Sequence, residues 1–97
     1  MSVMTELKLA SDEHKKELLK RLARIEGQVR GIRELIEREE GCELVAQQLA
    51  AAREAMSKVF SELVARTIEQ NCLKNESVDP VAREKLETIA RILAKYA

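Results

Sequence analysis

Two cysteines, Cys42 and Cys72, are the residues of this 97-residue chain best suited to chemistry. Cys42 follows Gly41 at the expected start of a long helix. Unpaired backbone N–H groups there stabilise a thiolate and make the sulfur a better nucleophile. The competing reading is an inert buried thiol, because free cysteine is among the most buried residue types. Spacing does not choose between the two. Cys72 lies 30 residues further on; at a rise of about 1.5 Å per residue, one continuous helix would hold the pair about 45 Å apart. They cannot share a site within one chain. They come level if two such helices pack antiparallel about a twofold near residue 57, Cys42 of one chain facing Cys72 of the other.

His14 is the only histidine, and on the first turn of a helix it reads as a solvated polar residue before it reads as a ligand. Two cysteines and one histidine fall short of the four closely spaced ligands of a structural zinc site. No paired general base, phosphate loop or metal cluster accompanies the thiols, so an enzyme is not expected. In a reducing compartment such cysteines serve as free thiols, ligands or redox switches.

Charge is segregated although the formal total is zero. Lys15, Lys16, Lys20, Arg21, Arg24, Arg30 and Arg33 face only Glu17 and Glu26 across the same stretch, and Glu34, Glu37, Glu39 and Glu40 then reverse the sign. A neutral total thus conceals a basic segment. The plain alternative is a solvated helix face held by i, i+4 pairs such as Glu17–Arg21.

The elements that must position these groups are helical. Aromatic content is 2% and no tryptophan is present, so a core has to be built from Leu, Ile, Val, Ala and Met. Residues 1–10 read as an N-terminal arm and 11–97 as one helical domain. Ser11, followed by Asp12 and Glu13, reads as an N-cap with acidic residues in the first turn. Leu18, Leu22, Ile25, Val29, Ile32 and Ile36 then form a heptad seam. Gly27 and Gly31 inside that helix suggest close approach to a neighbouring helix or a ligand, and Gly41 is expected to end it as the residue with positive φ. Val45, Leu49, Ala52, Met56, Val59 and Leu63 repeat the seam in a second helix, with a flanking stripe that marks it as central to a bundle. A polar break at Lys74–Val78 and an Asp79-Pro80 start lead into a third helix carrying Leu86, Ile89, Leu93 and Tyr96. The expected architecture is all-α: α1 (11–39), α2 (42–73) and a short α3 (79–96). Long helices with small side chains bury little in a protomer of this size, so oligomerisation is expected. Neither a membrane-length apolar run nor a secretory leader is read, and the expected location is cytoplasmic.

Three stretches taken together, Arg21-Leu-Ala-Arg24-Ile25-Glu-Gly27-Gln28-Val29, then Cys42, then Gln48-Leu49-Ala50-Ala51-Ala52-Arg53, resemble the CsoR/RcnR/FrmR family of bacterial transcriptional repressors over about residues 14–96. The resemblance implies a three-helix protomer, an antiparallel dimer and a dimer of dimers. It also implies binding of double-stranded operator DNA without a helix-turn-helix. Lys16, Lys20, Arg21, Arg24 and Gln28 on α1, with Arg53 and Lys58 on α2, are then the candidates for phosphate and base contact. DNA would be released when an inducer (Cu(I), Ni(II)/Co(II), formaldehyde or sulfane sulfur) meets the cysteine at the start of α2, here Cys42. The family's next ligand, usually His, corresponds to Thr67, and the second cysteine of the copper sensors corresponds to Asn71, one residue before Cys72. Thr67 is a poor ligand for a soft metal. A polar residue in place of the His, with two cysteines kept, is most similar to the persulfide-sensing (CstR-like) branch. That resemblance implies that Cys42 reacts with sulfane sulfur and bridges to Cys72 of the partner chain, with no cofactor. The alternatives are a repressor of the same fold sensing Cu(I) or another metal through Cys42, Cys72 and His14, or sensing formaldehyde through Cys42, and a helical interaction module with inert cysteines.

Overall fold

The computed structural model describes Leu9, residues 11–72 and residues 80–97, with the side chain of Cys72 outside that set. Three helices make up the described chain: α1 (Asp12–Glu37), α2 (Cys42–Cys72) and α3 (Pro80–Tyr96), with no strand among the described residues. The fold is all-α, as the heptad spacing requires. The other residues of the N-terminal arm, the Lys74–Val78 break and the Asp79 cap lie outside the described residues.

Local chemistry sets the helix ends. The Ser11 carbonyl accepts from the Lys15 N–H at 3.0 Å and its hydroxyl oxygen from the His14 N–H at 3.4 Å, so the expected N-cap forms. Asp12 in the first turn also pairs with Lys15 at 3.4 Å. The other end departs from expectation. α1 stops at Glu37, two residues before 39, and the residue with positive φ is Glu39, at 57°, not Gly41. The Glu40 N–H donates to the Leu35 carbonyl and the Glu39 N–H to the Ile36 carbonyl, each at 3.0 Å. These are the two bonds of a Schellman cap, which satisfy carbonyls the helix leaves open. Gly41 instead caps α2, its carbonyl accepting from the Val45 N–H at 3.2 Å. With the turn complete by residue 40, the glycine has no left-handed position to fill.

Residues 16–62 form one compact unit, and the described parts of 1–15 and 63–97 form a second. In the first, α1 and the opening turns of α2 make a helical hairpin across a four-residue connection, the length that joins antiparallel neighbours. Leu18, Ile25 and Ile32, seven residues apart, are buried. On α2, Val45, Ala52 and Val59, again seven apart, are half-buried. The alternate members of both seams stay open: Val29 and Ile36 on α1 are 47% and 57% exposed, Leu49 and Met56 on α2 52% and 47%. A cap on Gly27 or Gly31 by a neighbouring element of this chain is also missing, for a Cβ added at either meets nothing within 4 Å. The expected close approach at these glycines does not occur among the described residues.

In the second unit, Ala82, Thr88 and Ile89 are the buried residues of α3. The Thr88 hydroxyl donates to the Glu84 carbonyl at 3.0 Å and accepts from Arg91 Nη2 at 3.3 Å, which satisfies a polar group that burial would otherwise penalise. Leu86, Leu93 and Tyr96 of the expected seam are exposed. No helix of the described residues is long and apolar enough to cross a membrane.

Candidate functional site

Cys42 is the first residue of α2, directly after its cap, and it is a free, exposed thiol. The buried-hydrophobe reading therefore falls away for the protomer. Glu37, Glu39, Glu40 and Glu43 surround it in sequence, all exposed. α2 is a single helix of 31 residues from Cys42 to Cys72, so its rise keeps the two cysteines at opposite ends, about 45 Å apart.

The α2 positions that the sequence resemblance aligns with ligands are occupied by groups that serve the helix itself. The Thr67 hydroxyl donates to the Leu63 carbonyl at 2.7 Å, and the Asn71 amide donates to the Thr67 carbonyl at 2.9 Å. Both are i to i−4 bonds from side chain to backbone, the ordinary use of Thr and Asn inside a helix. Neither is a soft donor, so of the positions 42, 67 and 71 only Cys42 offers sulfur. No group of three or more metal-binding side chains occurs among the described residues. His14 is half-buried and not solvated as expected: its Nε2 lies 3.9 Å from Glu69 Oε2, and its Nδ1 is buried with no hydrogen-bond partner. Glu69 is held in turn by Arg66 through two bonds of 3.0 and 3.2 Å. His14 and Glu69 belong to the second unit and Cys42 to the first.

The basic residues divide into three sets that the sequence does not separate. Arg21, Arg24 and Gln28 of α1 and Lys58 of α2 line one cavity of about 320 Å³, over a floor that includes Ile25, Ala51 and Ala55. Glu54 also lines it. Arg30 and Arg33 instead border a second, more apolar groove with Leu22, Val29 and Met56. Lys16, Lys20 and Arg53 are exposed and outside both. Sequence reasoning missed Glu54 as a partner of this set; its one signal is the i, i+4 spacing to Lys58. The pairing Glu17–Arg21 does not form, and among the described residues neither Glu54 nor any of the three cations of the cavity makes an ion pair.

Comparison with known proteins matches this layout. The profile of the metal-sensitive transcriptional repressor family matches residues 14–95. Among solved structures, the chain is similar to a variant of the formaldehyde-responsive regulator FrmR from Salmonella enterica serovar Typhimurium. The TM-score is 0.79 at 31% identity, over 91% of this chain and 99% of that one. The family match over most of the chain, together with the three-helix fold, makes it a helical transcriptional regulator, a class that does not comprise enzymes. The chain belongs to the metal-sensitive transcriptional repressor family.

Proposed function

We propose that the chain is an oligomeric, cytoplasmic repressor of the persulfide-sensing kind. Its basic residues Lys16, Lys20, Arg21, Arg24, Gln28, Arg53 and Lys58 hold operator DNA, and Cys42 is its sensor. The observation that carries the choice of inducer is the pairing of an exposed Cys42 thiol with Thr67 and Asn71 side chains already committed to their own helix. A soft metal would find one sulfur and no imidazole there.

The chemistry is a thiol exchange. The Cys42 thiolate attacks the outer sulfur of a persulfide donor; the S–S bond of the donor breaks, its thiolate leaves and Cys42 becomes a persulfide. The thiolate of Cys72 of the partner subunit then attacks the Cys42 sulfur, expelling hydrosulfide and leaving a disulfide between chains. Two electrons pass from the thiols to the sulfane sulfur, so no further oxidant is needed. The new link ties the ends of two α2 helices together and shifts the helices that carry the basic face, lowering DNA affinity.

The test is operator binding before and after polysulfide for the wild type, Cys42→Ala and Cys72→Ala, with mass spectrometry of the product. Wild type should release DNA and show the interchain disulfide. Release by Cys42→Ala would overturn the sensing role.

One observation favours a second reading, in which Cu(I) or another metal is the inducer through Cys42, Cys72 and His14. It is the buried, unpartnered Nδ1 of His14. Stoichiometric Cu(I) binding that survives a strong competing chelator would select it over sulfur chemistry.

A further inference from the structure

We infer that Glu54 limits how tightly the cavity between α1 and α2 holds a phosphate group, so that one carboxylate sets the strength of an oxyanion site built from Arg21, Arg24, Gln28 and Lys58. The inference rests on the proposed DNA-binding reading only for the source of the phosphate.

Arg21, Arg24 and Lys58 are brought together from two helices onto a cavity of about 320 Å³, large enough for a tetrahedral oxyanion with its water. Among the described residues none of the three makes an ion pair, and Glu54, four residues before Lys58 and at a spacing that suits an ion pair, does not neutralise it. Three positive charges and one negative leave the lining with a net charge of +2. Gln28 lines the same cavity. Its buried Oε1 has no hydrogen-bond partner among the described residues and, as an acceptor, calls for a donor such as water; its amide nitrogen is the atom that can donate to a phosphate oxygen.

Guanidinium and ammonium groups bind phosphate by charge-assisted hydrogen bonds, and the Gln28 amide nitrogen is a neutral donor beside them. Glu54 opposes the same ligand, since a carboxylate lining the cavity repels phosphate and competes for the same cations. At the distances across such a cavity, removing one negative charge changes anion affinity by about three- to tenfold. A repressor that must let go when its sensor is modified gains from a hold that is no tighter than it need be.

The test titrates isotope-labelled full-length protein with inorganic phosphate at low salt, followed by the side-chain N–H signals of Gln28, Arg21 and Arg24. Wild type, Glu54→Gln and Glu43→Gln are compared. Glu43→Gln removes the same charge 11 residues along α2, about 16 Å away on the helix rise. The expected result is a saturable shift at Gln28 and the two arginines, tightened about three- to tenfold by Glu54→Gln and little by Glu43→Gln. No saturable shift in any protein, or equal tightening by both variants, would overturn the inference. A second arm measures binding of the same proteins to a short mixed-sequence DNA duplex. Tightening by Glu54→Gln there supports a backbone phosphate as occupant. An unchanged DNA affinity beside a tightened phosphate site supports a free oxyanion as occupant and counts against the DNA-binding reading of this face, while the role of Glu54 stands.

Discussion

Cys42 and Arg24 show how little of a residue's role is set by its type. Cys42 is exposed at the first position of α2, so in a Cys72→Ala background a maleimide should label it completely in the native protein, as read by intact mass. Labelling only after denaturation would mean that Cys42 is covered in the assembled molecule. Arg24 lines the α1–α2 cavity without an ion-pair partner among the described residues. If it meets a DNA phosphate, Arg24→Gln should weaken binding about equally for all sequences and flatten the dependence of log affinity on log salt by about 0.9. An unchanged slope in a fluorescence-anisotropy titration would remove Arg24 from the contact set.

Helix ends are where the elements of this chain deviate from their simplest reading. Glu39 sits at a φ of 57° inside a hydrogen-bonded Schellman turn, a conformation that costs an L-residue roughly 1–2 kcal/mol. Glu39→Gly relieves that cost and gives part back as unfolded-chain entropy. It should therefore raise stability by about 0.5–1 kcal/mol, seen as a higher urea midpoint with an unchanged slope. Ser11→Ala acts at the other end of α1 by leaving the His14 N–H without its cap. A loss of about 1 kcal/mol is expected in the same measurement.

The whole molecule is governed by the half of each seam that one protomer leaves uncovered. Leu49 and Met56 on α2 and Val29 and Ile36 on α1 alternate with the residues that face inward, and all four are exposed. Burying a side chain of this size stabilises by about 1.5–3 kcal/mol, which supports the proposed assembly of copies of this chain. Met56→Glu should shift the protein to a monomer in sedimentation velocity, because a carboxylate cannot enter an apolar interface unpaired. DNA affinity should fall with it. A Met56→Glu protein that sediments like the wild type would place the self-association surface elsewhere.

Periodicity and caps made the three helices legible: the four-three spacing from Leu18 to Ile36, the Ser11 cap and the proline at the start of α3 depend on neighbours a turn or less away, and such signals are written locally. The motif around Arg24-Ile25 and Cys42 likewise carried the family. Other features needed the chain to be folded. Glu39 took the positive-φ position expected of Gly41 because the Schellman bonds to the Leu35 and Ile36 carbonyls close the turn by residue 40. His14 met Glu69 across 55 residues of sequence, and Glu54 joined the arginines of α1 through the packing of two helices. By itself, then, the sequence determined the helices, their apolar faces and the presence of a thiol at a helix start. Tertiary structure alone decided which charges converge and which half of each seam is covered, since both depend on the crossing of helices whose contacts lie far apart along the chain.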